Sequence, residues 1–161
     1  MNRKPLIIGI AGFGTVGGGT AELLRTNHDW IKNRIGRDII IKTIVDLDTN
    51  KAERARNLGA TLSTRLDDLI EDPEIEVVVE LIGGTKVAKD LLVKALNAGK
   101  HVVTANKALL AEYGHELFPL AAAKGLHLGF EASVAGGIPL LQPIKETIVA
   151  NRIERFMGIL N

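Results

Sequence analysis

Apolar residues fall in short blocks, Leu6–Ala11, Ile39–Val45, Val77–Ile82 and His101–Val103, and between the blocks they recur at helical spacing. Such short runs suit strands buried on both faces, and helical stretches between them suit crossovers, so the pattern predicts a parallel sheet. Val16, Thr20, Leu23, Leu24, Ile31 and Ile35 predict one long first helix, stopped by Gly36. Lys86–Ala98 predicts another, capped by Thr85 and closed by Gly99, and Asn106–Lys124 a third, closed by Gly125. His127–Phe130 reads as a further strand, and Ile138–Val149 as a helix with Pro139 in its first turn, where a missing N–H costs nothing. The block Arg152–Leu160, with Ile153, Phe156, Met157, Ile159 and Leu160, is strand-like. It fits either a last edge strand of the same sheet or the beginning of something that continues past Asn161.

Composition narrows the class. The 161 residues are 46% hydrophobic and 24% charged, enough to bury one soluble core. Twenty Lys and Arg against 19 Asp and Glu leave a net charge of +1. That balance predicts neither a nucleic-acid nor a membrane partner, and points to a small molecule. Cysteine is absent, which excludes disulfides, thiolate zinc sites and a thiol nucleophile, and fits a cytoplasmic setting. The opening apolar run is interrupted by Gly9 and Gly12, too short for a signal-peptide core or a span of about 20 residues.

Glycine is the compositional excess, 17 residues where average usage predicts roughly 11. Gly12-Phe13-Gly14-Thr15-Val16-Gly17 fits Gly-x-Gly-x-x-Gly and lies between the first strand and the first helix. In that context Gly12 permits the turn, Gly14 lets a pyrophosphate approach the backbone, and Gly17 lets helix and strand pack closely. The phosphates then meet free N–H groups at the positive end of the helix dipole. Alternation and motif together predict a Rossmann-type, doubly wound, mainly parallel sheet with helices on both faces, residues 1–150 forming a dinucleotide-binding domain. Gly18 and Gly19 continue the run into the helix, where each costs about 1 kcal/mol relative to Ala.

The ribose-binding acid belongs at the carboxyl end of the second strand, which selects Asp46 over Asp48 and over Asp38, the latter standing at the strand's start. A carboxylate there accepts the 2′-hydroxyl and repels a 2′-phosphate, favouring NAD over NADP. Lys51 and Arg54 pull the other way, being near enough to accommodate a phosphate. Gly83-Gly84-Thr85 brings glycines and a capping residue to the next crevice loop, either for the nicotinamide ribose or as a plain strand-to-helix turn. Lys107 lies in a first helical turn, where the macrodipole disfavours a cation. It either meets a cofactor or substrate group or is simply solvated. Glu131 precedes the loop Val134-Ala135-Gly136-Gly137-Ile138, a mix of one charge and neutral oxygens that suits an oxygen-loving cation. The plainer alternative, preferred from the residues alone, has Glu131 accepting loop N–H groups. His28, His101, His115 and His127 show no ligand spacing.

Four runs taken in order, Gly12–Gly17, Glu80-Leu81-Ile82-Gly83-Gly84-Thr85, Gly99–Leu110 and Glu131–Pro139, resemble the homoserine dehydrogenase family. The resemblance spans nearly the whole chain, and the last two runs are its specific part. It implies NAD(P)-dependent interconversion of L-homoserine and L-aspartate 4-semialdehyde, in threonine and methionine biosynthesis. It implies that Lys107 contacts the cofactor, and that Glu131 with the carbonyls of Val134, Gly136 and Ile138 binds a sodium ion. It also implies that residues 151–161 begin a catalytic and dimerisation domain missing from this chain, which then holds no catalytic residue of its own, the complete protein being a homo-oligomer. Two other classes fit the residues less well. A non-enzymatic NAD(H)-sensing module has no need of the Lys107 and Glu131 loops. A phosphorylating semialdehyde dehydrogenase needs a cysteine that is absent.

Overall fold

The computed structural model describes residues 3–155, 157 and 158, which build a six-stranded, all-parallel sheet. Its strands are β1 (Leu6–Ala11), β2 (Ile39–Val45), β3 (Thr61–Ser63), β4 (Val77–Glu80), β5 (His101–Thr104) and β6 (Leu128–Gly129). They lie in the order β3-β2-β1-β4-β5-β6. The chain starts at the centre, winds outwards to β3, then crosses back to β4 and winds the other way. The reversal leaves a crevice between the carboxyl ends of β1 and β4, where open α/β sheets bind ligands.

Helices α1 (Thr15–Thr26), α2 (His28–Ile35), α3 (Ala52–Asn57), α4 (Asp67–Glu71), α5 (Lys86–Asn97) and α6 (Lys107–Ala123) connect the strands. Because successive strand residues face opposite sides, each strand feeds two cores. Ile8 and Ile10 of β1, with Val79 of β4, pack under Ala21 of α1 and Ala55 of α3. Ala11 and Val78 face the other way, onto Leu69 of α4, Leu91, Leu92, Ala95 and Leu96 of α5, and Leu109 and Leu117 of α6. Helices therefore cover both faces, as a doubly wound sheet requires.

Four sequence expectations are corrected. The single long first helix is two, α1 and α2, jointed at Asn27. Backbone bonds continue through the joint, from Asn27 N–H to the Leu23 carbonyl and from Ile31 N–H to the Asn27 carbonyl, so the chain bends there without losing its ladder. Strand β3 and helices α3 and α4 give no apolar run or full helical period, being three, six and five residues long. Thr85 occupies the N-cap position of α5 without capping it. The Ile138–Val149 helix reduces to one wide turn, Pro143–Thr147, where Ile148 N–H reaches the Pro143 carbonyl. Pro143, interior to the expected helix, lacks the N–H that would bond the Pro139 carbonyl. Within Arg152–Leu160 the described residues form no strand, and Phe156, Ile159 and Leu160 lie outside the described residues.

Candidate functional site

The glycine turn is built as its spacing predicts. Gly12 has φ +94°, and a Cβ on it would stand 2.5 Å from the Leu81 carbonyl oxygen, so only glycine lets β1 leave the sheet this close to β4. A Cβ on Gly17 would stand 1.9 Å from the Gly12 carbonyl oxygen, which seats the first turn of α1 against the loop. A Cβ on Gly14 would meet nothing within 4 Å, because that face opens onto solvent. Gly14 is the N-cap of α1; no side chain caps the helix and its first turn holds no acid. The N–H groups of Thr15, Val16 and Gly17 therefore present a bare positive end. Gly18, unexplained from sequence, lies under the Arg54 guanidinium, 2.4 Å from where its Cβ would be, and that guanidinium sits 4.8 Å over the Phe13 ring. Nothing in the structure explains Gly19.

Asp46 follows β2 and closes on the turn: its Oδ2 accepts the Phe13 N–H at 2.7 Å and its Oδ1 the Asp48 N–H at 2.9 Å. Lys51 Nζ lies 3.0 Å from both oxygens. Partial burial pushes the carboxyl up, but the Asp48 N–H, Lys51 and the Phe13 N–H outweigh it and hold Asp46 below the ordinary aspartate range. The rejected Asp38 is placed at the opposite end of the strand, where His28 and Lys32 approach it at 2.9 and 3.0 Å. Phe13 itself is fully buried and its N–H is taken, so its part is to hold the acid against the turn.

A cleft of about 630 Å³ runs from this acid across the crevice, lined by Gly12, Gly14, Asp46, Leu47, Thr64 and Val87, among others. Leu47 and Val87 are exposed there, apolar walls of the kind a flat base needs. Sequence reasoning missed Thr64 because β3 went unseen, and Leu47 and Val87 because an apolar residue after a strand or in a helix's first turn reads as ordinary packing. A second hollow of about 300 Å³ continues past Val16, where Gly83 and Gly84 face Ala105, Asn106 and Lys107. Of the residues expected at the cofactor, Gly12, Gly14, Val16, Asp46, Gly83, Gly84 and Lys107 line these two hollows, Thr15 and Thr85 stand at the helix starts, and Phe13 and Gly17 are buried behind the turn.

Beneath the second hollow lies Glu80, the last residue of β4 and wholly buried. Its Oε1 accepts the Ile82 N–H at 2.9 Å and its Oε2 the Thr104 hydroxyl at 2.5 Å. Thr104 accepts the Asn106 N–H at 3.0 Å. Asn106 donates to the Gly84 carbonyl at 2.7 Å and accepts the Leu109 N–H at 3.0 Å, capping α6. Burial raises the Glu80 carboxyl above the ordinary range, and bonds from Thr104, Ile82 and Asn106 offset only part of that. An acid ending an apolar strand was the sequence signal for this group, and it went unread.

Glu131 sits after β6. Its Oε1 accepts the N–H groups of Leu140 at 2.5 Å and Leu141 at 2.9 Å, and its Oε2 that of Gln142 at 2.9 Å. The Leu140 bond lowers its pKa, burial opposes it, and the Leu141 and Gln142 bonds with Lys145 tip the balance downwards. Ala135 has φ +57° and Gly136 φ +59°, a tight reversal in which the Ala135 carbonyl accepts the Ile138 N–H. Among the described residues the carbonyls of Val134, Gly136 and Ile138 accept no backbone hydrogen bond. The plainer reading of Glu131 is thus present, and three spare oxygens stand in the same loop.

Residues 12–131 match the family model described as homoserine dehydrogenase, NAD binding domain. The chain belongs to that family. A homoserine dehydrogenase of Neisseria gonorrhoeae is 48% identical over 158 residues, 98% of this chain, and one of Pseudomonas aeruginosa 47% identical over 159. A crystal structure of a homoserine dehydrogenase from Thiobacillus denitrificans superposes with a TM-score of 0.89 at 47% identity, over 96% of this chain and 36% of that one. One from S. aureus gives 0.77 at 37% identity, over 85% and 34%. The chain spans 36% of the length of both bacterial relatives. With homoserine dehydrogenases matching along almost its whole length, a non-enzymatic sensing module is not favoured. Among the described residues no helix is long and apolar enough to cross a membrane.

Proposed function

We propose that this chain is the cofactor-binding part of an enzyme that interconverts L-homoserine and L-aspartate 4-semialdehyde. The bare N–H cradle at the start of α1, opening at Gly14 onto the cleft that ends at Asp46, carries the reading. The cradle fits a pyrophosphate. Asp46 fits the adenosine ribose, Leu47 and Val87 flank the base, and Gly83, Gly84, Thr85 and Lys107 border the nicotinamide. When bound, the nicotinamide supplies the hydride acceptor; the chain's own residues orient it. NAD is favoured over NADP through Asp46. The complete enzyme is a cytoplasmic homo-oligomer, and residues 151–161 lead into its catalytic domain.

The experiment is a fluorescence titration with NADH and NADPH. Binding that Gly14→Val abolishes supports the cradle, and binding that survives it unchanged overturns it. The Glu131 loop is assigned to sodium, its fit resting on the three spare carbonyls beside one carboxylate. Sodium, compared with tetramethylammonium at equal ionic strength, should raise the melting temperature of the wild type. A rise that persists in Glu131→Gln counts against the assignment.

A further inference from the structure

Glu80 is an expensive residue to place where it stands. Wholly buried carboxylates ordinarily pair with a cation, because an unpaired ion in the interior costs several kcal/mol. Among the described residues Glu80 has no cationic partner; its contacts are Ile82, Thr104 and Asn106, all neutral. A structural acceptor for one N–H could be a threonine or glutamine. What the carboxyl achieves is a closed circuit: the Ile82 N–H and the Thr104 hydroxyl donate to Glu80, the Asn106 N–H donates to Thr104, and the Asn106 amide donates to the Gly84 carbonyl. The circuit begins and ends on the loop after β4 and passes through the loop after β5. Those two loops face each other across the 300 Å³ hollow, and Lys107 begins the helix that Asn106 caps.

We propose that Glu80 is the positioning residue of the nicotinamide half of the cleft, fixing the spacing of the Ile82–Thr85 and Thr104–Lys107 loops through Thr104 and Asn106. The proposal rests on the cofactor reading above. The circuit's hydrogen bonds concern the second hollow: Asp46 is held by Phe13, Asp48 and Lys51 instead, and of the five residues of the circuit only Ile82 also lines the first cleft. Removing one link leaves a buried polar group unsatisfied and lets the loops separate, so the nicotinamide loses its seat while the adenosine keeps its own.

The test compares NADH with ADP-ribose, which carries every group of the cofactor except the nicotinamide, on the wild type and on Thr104→Val, Glu80→Ala and Glu80→Gln. The wild type should bind NADH more tightly than ADP-ribose. Thr104→Val keeps the shape of the side chain and cuts the circuit, and should weaken NADH about tenfold while leaving ADP-ribose within twofold. Glu80→Ala should do the same or more. Glu80→Gln retains an acceptor for Ile82 and a polar partner for Thr104, and should recover most of the loss. Should Glu80→Ala fail to fold, Thr104→Val and Glu80→Gln still decide the matter. Equal weakening of both ligands, or none of either, overturns the role of Glu80 while leaving the cofactor reading intact. A wild type that binds neither ligand overturns the cofactor reading, and the role of Glu80 with it.

Discussion

Lys51 Nζ stands 3.0 Å from each oxygen of Asp46, so the acid that ends β2 carries its own counter-charge at the rim of the cleft. The pair is partly exposed, and its contribution to stability is modest. Its larger consequence is for selectivity. A bare carboxylate repels a 2′-phosphate, whereas a carboxylate neutralised by an ammonium repels it less, and the ammonium is itself a phosphate partner.

Replacing Lys51 by Ala is therefore expected to increase the preference for NADH over NADPH by about tenfold, mainly by weakening NADPH. Asp46→Ala should narrow the preference. Dissociation constants for both cofactors on the three proteins decide it. If Lys51→Ala instead strengthens NADPH, the lysine is no phosphate partner and the account of the pair fails.

The sequence displayed the centre of this fold and hid its edge. Strand β1 is covered on both faces and β2 is buried towards its carboxyl end, and their apolar runs mark them to the residue. Edge strand β3 offers Thr61, Leu62 and Ser63, half-covered and too short to show a period. With β3 hidden, the far wall of the adenosine cleft was hidden too. The glycine turn was legible because its constraints are local and steric. The Glu80 circuit was not, since it joins residues 80–84 to 104–106 only after β4 and β5 pair side by side, with Glu80 opposite Thr104.

The three consecutive glycines of α1 separate into distinct roles, and alanine substitution should rank them. At Gly17 the new Cβ would collide with backbone, so Gly17→Ala is expected to destabilise by more than about 2 kcal/mol and to abolish cofactor binding. At Gly19 it would enter open space within a helix, and the lower backbone entropy of the unfolded chain should stabilise the fold by about 0.5–1 kcal/mol. Gly18→Ala only has to displace the flexible end of Arg54 and should fall between them. Urea unfolding of the three variants gives the order, and a stable, cofactor-binding Gly17→Ala protein would contradict the close packing of α1.

Glu80 also leaves a signature in pH. Its carboxyl is held above its ordinary value of 4.5 by burial, so ionisation is harder in the folded than in the unfolded chain. Its contribution to stability is complete below about pH 4.5 and is lost as pH rises through the raised folded value. Glutamine at this position does not ionise. The stability of Glu80→Gln relative to wild type should therefore climb between pH 4.5 and neutrality. Thermal melts of both proteins across that range provide the difference, in which other titrating groups cancel. A flat difference would mean that the carboxyl ionises in the fold as readily as in water.

The last prediction concerns turnover. This chain is expected to bind NAD(H) yet to oxidise no homoserine by itself. Moving a hydride from an alcohol carbon requires that the hydroxyl proton leave to a base within hydrogen-bond reach, and such assistance is worth about 10²–10⁴ in rate. Two titratable groups line the nicotinamide-side hollow, Glu80 and Lys107. Glu80 has no exposed surface and both its oxygens are engaged, so a substrate hydroxyl cannot reach it. Lys107 begins α6 beside Gly83 and Gly84, and in the proposed function it is taken up by the nicotinamide, which leaves it no role as the substrate's base. Nothing else in the hollow orients an amino-acid substrate, and orientation contributes as much to the barrier as the base does. The homoserine dehydrogenases it resembles are nearly three times as long, at 36% coverage, leaving ample chain for both tasks. NADH formation from homoserine at alkaline pH, measured beside a cofactor titration on the same sample, is the check. Saturable binding with no turnover is the expected outcome. Robust turnover would show that Lys107 or Glu80 is a base after all, and the division of labour argued from the hollow would fall.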